Sequence, residues 1–163
     1  YTNLATAIGQ QRTHNPGRSI LVSAGDNIQG DTMMAYYKTA YTGFASDGTA
    51  LPITLTANPL ITAFNAMTYT AYTLGNHEFN FGNAIFTNTL KQANYPILQA
   101  NLYDTGAYGI AQVPVKSDVT TTLSGGIKVA VLGIGNHRVP NYEMPSDILG
   151  LTFTNPITEA AHV

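Results

Sequence analysis

Two stretches decide the fold: Leu21-Val22-Ser23-Ala24-Gly25-Asp26-Asn27-Ile28-Gln29-Gly30 and Leu74-Gly75-Asn76-His77-Glu78-Phe79-Asn80-Phe81-Gly82. Each grows out of a short apolar run, Ile20-Leu21-Val22 in the first and Tyr72 to Leu74 in the second, of the kind that suits an interior strand. Each then breaks at a glycine, Gly25 or Gly75, where the backbone is free to turn through φ values closed to other residues. Gly30 and Gly82 allow a further turn. Two such loops at the carboxyl ends of strands in one α/β sheet converge on one crevice, where ligands of such sheets bind. An Asp, an Asn and a His delivered there form part of a metal site suited to phosphate chemistry.

The intervening sequence supplies the helices. Leu4, Ala7, Ile8 and Gln11 lie on one helical face, which Asn15-Pro16-Gly17 stops. Asp31 caps a second helix, with Met33, Met34, Tyr37 and Tyr41 at helical spacing. Asn58-Pro59 starts a third, buried through Leu60, Ile61, Phe64 and Met67. Asn83 is the expected cap of a fourth, with Ile85, Phe86 and Leu90 on one side, and Tyr95 to Ala100 is the next strand, ending at Asn101. Beyond Asp104 the pattern turns β-rich: Ala111 to Val115, Val119 to Leu123 and Ile127 to Ile134, the last two joined by a hairpin-type turn at Ser124-Gly125-Gly126. The expected class is α/β, with mixed β sheets flanked by helices. The aperiodic segment from Thr42 to Ala57 reads as a surface excursion.

Composition narrows the partners. The chain has 163 residues, enough for one domain with a proper core. Seven Lys and Arg against nine Asp and Glu give a net charge of −2, and no basic cluster occurs, which disfavours binding to nucleic acid duplexes. Charged residues make up only 10% of the chain, an unusually uncharged surface that points outside the cytoplasm: extracellular, cell-wall or periplasmic. The absence of Cys removes disulfides, thiolate metal sites and Cys nucleophiles together. No apolar run approaches the roughly 18 residues of a membrane span, and no signal peptide opens the segment. The start at Tyr1 and the fresh helix start at Asn155-Pro156 lead us to expect residues 1–163 to be a partial domain, incomplete at both ends.

Hydrolysis of a phosphate ester at neutral pH is served by two divalent metals about 3.5 to 4 Å apart, which clamp the attacking and leaving oxygens. Asp26 suits the bridge between them, Asn76 donates an amide oxygen without adding charge, and His77 reaches the phosphate rather than the metal. Glu78 is expected to take a hydrogen bond from His77, fixing its ring, or from a neighbouring backbone amide. Asn101 ends a strand beside the same crevice and is a candidate to order the site, although an Asn turn is the preferred explanation. A second Gly135-Asn136-His137 follows another apolar run, so His137 competes as a phosphate or substrate contact. Tyr36, Tyr37, Tyr41 and Tyr69 could stack on bases, but no basic residues are interleaved with them and packing is the expected role. His14 and His162 read as solvated.

These two stretches resemble the second and third motifs of the calcineurin-like metallophosphoesterases. The surrounding wording is closer still to the bacterial 5′-nucleotidase and 2′,3′-cyclic-nucleotide phosphodiesterase branch. There, stretches similar to Asn58-Pro59-Leu60 through Phe64-Asn65-Ala66-Met67 and to Tyr95-Pro96 through Gln99-Ala100-Asn101 flank the Gly-Asn-His-Glu-Phe loop. The resemblance implies that Asp26 bridges two metals, that Asn76 is a ligand of the second metal, and that His77 stabilises the phosphoryl transition state. It implies cofactors of two divalent ions, with Mn, Zn, Fe or Co equally suited to carboxylate, amide and imidazole donors. It places a non-ligand loop at His137, which lacks the Glu and Phe-Asn-Phe-Gly continuation.

The family's first motif, Asp-X-His, its later His and Gly-His-X-His motifs and its nucleobase-binding C-terminal domain have no counterparts here and are expected on missing N- and C-terminal segments of the same polypeptide. Two protein ligands cannot hold a site that takes about six or more, so the segment alone is expected to bind metal weakly and turn over little. The expected function of the parent is metal-dependent hydrolysis of nucleotide phosphate esters without a phosphoenzyme. The alternatives are a phosphatase or phosphodiesterase on non-nucleotide esters, and a non-catalytic binding module that keeps the fold.

Overall fold

The computed structural model describes residues 1–42, 47–50 and 57–163, with backbone only at Tyr41 and Thr42. The 42–57 excursion therefore lies for the most part outside the described residues. Helices α1 (Thr2–His14), α2 (Thr32–Thr42), α3 (Pro59–Ala66) and α4 (Gly82–Leu90) alternate with strands β1 (Val22–Ser23), β2 (Ala71–Thr73) and β3 (Ile97–Leu98). Strands β4 (Leu102–Asp104), β5 (Val115–Lys116), β6 (Asp118–Thr122), β7 (Lys128–Leu132) and β8 (Leu151–Phe153) follow, and α5 (Pro156–Ala160) comes last.

Four strands form a parallel sheet in the order β1-β2-β3-β5, with Val22 opposite Ala71, Tyr72 opposite Ile97 and Ile97 opposite Val115. Because all four run the same way, the segments that leave β1, β2 and β3 emerge at one end of the sheet. That end holds Gly25-Asp26, Gly75-Asn76-His77 and Asn101. The antiparallel strands form separate pairs, β4 with β8 and β6 with β7, rather than continuing the parallel sheet. Bonds from Ala100 N to Gly133 O (2.7 Å) and from Gly133 N to Ser117 O (3.0 Å) attach the end of β7 beside the end of β3.

Local chemistry explains most boundaries. Asn58 caps α3 by accepting from the amides of Leu60 and Ile61, with Pro59 in the first turn, where its missing N–H costs nothing. Asp31 accepts from Met34 N (2.7 Å), and Asn155 caps α5 in the same way. The Arg12 guanidinium donates to the carbonyls of Met67 and Thr68, covering the orphan acceptors at the end of α3 and tying α1 to it. The β6–β7 turn carries Gly125 and Gly126 at φ of 92° and 83°, the left-handed pair that a tight hairpin needs.

Several expectations differ from what is observed. β1 lies at the sheet edge, so Ile20 and Val22 are 38% and 47% exposed rather than interior. Helix α4 begins at Gly82 with Phe81 in the capping position and no side-chain cap; Gly82 (φ 73°) makes the corner one residue before Asn83. The strand expected over 111–115 shrinks to Val115–Lys116, because the Asp104 carboxylate gathers the amides of Gly106, Tyr108, Gly109 and Ile110 and curls that segment into a 3₁₀ turn over Ile110–Gln112. The short strand β8 carries no signal long enough to have been anticipated.

The core is aromatic-rich. Phe64 stacks on Tyr69 at 4.1 Å and leans on Tyr72 and Tyr95, while Phe79 stacks on Phe86 at 5.3 Å and meets Tyr108 and Phe153. Phe79 directly follows the second loop and is fully buried, as is Ile28 just after the first. Each such side chain contributes about 1.5–3 kcal/mol by leaving water. Both loops are thus pinned by apolar anchors just downstream. Tyr37 is buried and Tyr69 is packed against Phe64, as expected of packing residues, while Tyr36 is exposed.

Candidate active site

The first loop turns through two successive left-handed residues, Gly25 (φ 88°) and Asp26 (φ 60°). That conformation is strained for an Asp, by about 1–2 kcal/mol. It makes the consecutive amides of Asp26, Asn27 and Ile28 point inward as a nest, an arrangement that often cradles phosphate. Here the nest is filled from within the protein. Glu78, fully buried, accepts from Asp26 N (2.8 Å), Asn27 N (2.7 Å) and Ile28 N (3.3 Å), and also from Gly75 N (2.6 Å) and the Tyr72 hydroxyl (2.6 Å). One carboxylate therefore locks both loops together, accepting in every bond. Burial, and then the neighbouring Glu78 charge, hold the Tyr72 hydroxyl well above the usual tyrosine pKa.

The fit between the loops is close. A Cβ on Gly75 would lie 2.2 Å from Asp26 Oδ1, and a Cβ on Gly25 would lie 2.1 Å from Gly75 N. The same Asp26 Oδ1 accepts from His77 N at 3.0 Å, which leaves Oδ2 of this exposed side chain open. Asn76 and His77 are half-buried. The His77 ring is fixed by Asn80 rather than by Glu78: its Nδ1 faces Asn80 Oδ1 at 2.6 Å. Asn80 Nδ2 in turn donates to Glu143. Burial pushes the Glu143 carboxyl up, opposed by hydrogen bonds from the side chains of Asn76 and Asn80 and by the nearby His77 ring.

The structure thus brings Asp26, Asn76, His77 and Glu78 together. Asn101 and Gly135 form a second knot: the fully buried Asn101 side chain accepts from Gly135 N (2.8 Å) and donates to the carbonyls of Gly135 (2.9 Å) and Thr154 (3.1 Å). His137 is exposed, and its ring has no hydrogen-bond partner among the described residues. Sequence reasoning missed Asn80 as the partner of the ring and missed Glu143 altogether. The available signal was scarcity, since a chain with only nine acidic residues rarely buries one without a task.

Among the described residues no group of three or more His, Asp or Glu could hold a metal ion. The donors present still fit part of such a centre. Asp26 offers an open carboxylate oxygen and Asn76 a neutral amide on the adjacent strand end, both of the hard type that divalent ions take. Glu78 is excluded as a ligand because its oxygens are already occupied.

A parallel sheet whose strand ends converge Asp, Asn and His on one crevice defines a metallophosphoesterase-type α/β fold. No family model matches the chain. It is 37% identical over 106 residues to a 2′,3′-cyclic-nucleotide 2′-phosphodiesterase/3′-nucleotidase of Haemophilus influenzae, a match that spans 65% of this chain and 14% of that protein. Among solved structures, one described as a 5′-nucleotidase from Staphylococcus aureus superposes with a TM-score of 0.74 at 28% identity, covering 98% of this chain and 28% of that one. The calcineurin-like phosphoesterase YfkN from Bacillus subtilis superposes with a TM-score of 0.68 at 26% identity, covering 97% of this chain and 46% of that one. By sequence and fold together, the chain resembles the calcineurin-like metallophosphoesterases, and these relatives are named as 5′-nucleotidases and cyclic-nucleotide phosphodiesterases. It spans less than half the length of these relatives.

Proposed function

We propose that the polypeptide containing this chain hydrolyses phosphate esters of nucleotides, as a 5′-nucleotidase, a 2′,3′-cyclic-nucleotide phosphodiesterase or both. The observation that carries this reading is the convergence of an open Asp26 carboxylate, the Asn76 amide and the His77 ring at adjacent parallel strand ends, locked there by one buried carboxylate. The names of the relatives support nucleotides as the ester class.

Asp26 and Asn76 would hold divalent metal, with the remaining ligands supplied by segments of the parent outside residues 1–163. When bound, the metal would neutralise phosphate charge and activate water for in-line attack. The residues in hand do the rest. Asn80 holds Nδ1 of His77, so Nε2 is the nitrogen free to meet the phosphate, offset its developing charge and deliver a proton to the leaving oxygen. Asp26 Oδ1 fixes the His77 backbone, which keeps the ring in register with the metal donors. Glu78 orders the two loops and Asn101 pins the turn at Gly135, rather than touching substrate. The sparse charge of the chain supports an extracellular, cell-wall or periplasmic setting, and no helix among the described residues is long and apolar enough to cross a membrane.

The test is hydrolysis of 2′,3′-cyclic AMP and 5′-AMP by the full-length polypeptide with Mn²⁺, beside a simple aryl phosphate and a His77→Ala variant. The expected result is a steep preference for nucleotides and a loss of about 10²–10⁴ in kcat on substitution. Equal rates on the aryl ester would shift the reading to non-nucleotide esters. Full activity of the variant would remove His77 from the chemistry.

A further inference from the structure

The chain of contacts that starts at the His77 ring ends on a residue from a distant part of the sequence. We propose that Glu143 is a positioning residue, which sets the amide of Asn80 and through it the protonated nitrogen of His77. This rests on the reading of His77 as the group that faces the phosphate.

An amide side chain has two ends, a donor and an acceptor, and only its partners decide which way it faces. An ionised carboxylate accepts and never donates. With Glu143 on one side, Asn80 must turn Nδ2 toward it and Oδ1 toward His77. Oδ1 is an acceptor, so the His77 Nδ1 that faces it at 2.6 Å must carry a proton. Nε2 is then the nitrogen left for the leaving oxygen. Were the amide reversed, its NH₂ group would oppose a proton on Nδ1, and the doubly protonated ring, which can give a proton from Nε2 while Nδ1–H stays bonded, would lose that support.

Glu143 is placed to hold this orientation. It is 7% exposed, and its amide bonds to Val139 O (3.1 Å). This buried acceptor therefore orients the Asn80 amide without itself reaching the substrate.

The experiment uses the full-length polypeptide with Mn²⁺ and 2′,3′-cyclic AMP. Glu143→Leu is expected to lower kcat about tenfold with KM within about twofold. Glu143→Gln, which keeps an acceptor oxygen, should recover most of that loss. The decisive arm is the Asn80→Asp background: an Asp side chain has two acceptor ends and no wrong orientation, so adding Glu143→Leu there should cost nothing or raise kcat by removing a second carboxylate.

Equal losses in the two backgrounds, or no loss in either, would overturn the proposal. Nitrogen NMR of the His77 ring provides a readout apart from turnover. The wild type should show the Nδ1–H tautomer, and Glu143→Leu or, if that variant does not fold, Glu143→Ala should show a mixture. An unchanged tautomer overturns the role of Glu143. Absence of nucleotide hydrolysis with the tautomer shift intact overturns the proposed function and leaves the positioning role standing.

Discussion

Gly-Asn-His occurs twice, at 75–77 and at 135–137, each time after a strand, and the surroundings alone separate the two. At the first, a carboxylate one residue on reaches back to bind both loops, Asp26 Oδ1 holds the His77 amide, and Asn80 holds the ring. At the second, Arg138 and Val139 replace the Glu-Phe continuation. Asn101 from the end of β3 pins the glycine from below, and His137 points into solvent. The same three residues thus make an ordered, hydrogen-bonded cluster in one place and a surface turn in the other. Their contribution depends on what clamps them, and a clamp needs partners from elsewhere in the chain. The second segment still serves the first site, because Glu143, eight residues after Gly135, ends beside Asn80.

The largest expected effect tests that contrast head on. His77→Ala should lower kcat of the full-length polypeptide on nucleotide esters by about 10²–10⁴, whereas His137→Ala should stay within about twofold. Comparable losses would erase the difference between the loops. Next comes the clamp itself. Glu78→Gln puts an NH₂ group against inward-pointing amides and should cost about 3–5 kcal/mol of stability, with activity falling in parallel. Chemical denaturation together with kcat measures both. Asn101→Ala removes three buried bonds and should cost about 2–4 kcal/mol while leaving the kcat of the folded fraction close to wild type. A large loss of kcat there would mean that the second knot reaches into the chemistry.

The smallest effect concerns pH. Burial raises the pKa of Tyr72, Tyr95 and Tyr108, and the hydroxyls of Tyr95 and Tyr108 have no hydrogen-bond partner among the described residues. Below about pH 10, the unfolded value, both states keep the proton and the stabilisation is fully present. As pH rises beyond that, the unfolded chain ionises first, so stability falls. Denaturation midpoints measured from neutral pH into that range should decline, with the phenolate absorbance of the buried tyrosines appearing only on unfolding. Tyr72→Phe, which lightens the load under the first loop, should flatten the decline slightly. A midpoint that does not change with pH would contradict this account.

Much of this was legible in the sequence because it is local. Asn58-Pro59, Asp31, the Gly125-Gly126 turn and the apolar stripes of α3 and α4 specify their own structure within a few residues. Gly25-Asp26 and Gly75-Asn76-His77 announce strand-end loops by the glycines that permit them. The failures share one cause. Asn83 was passed over as a cap because Gly82 turned first, the 111–115 strand dissolved because Asp104 drew four amides to itself, and β1 was exposed because of its place in the sheet order.

The sequence by itself determined the α/β alternation, the two loops and the residue types at their tips, since periodicity and turn chemistry act over one or two helical turns. Only the tertiary structure decided that Glu78 fills the nest rather than supporting the ring, that Asn80 takes the ring instead, and that Glu143 stands behind it. Hydrogen bonds between groups more than fifty residues apart, as from the Asp26 amide to Glu78 and from Asn80 to Glu143, leave no periodic trace in the chain. They exist only once parallel strands have placed their ends side by side.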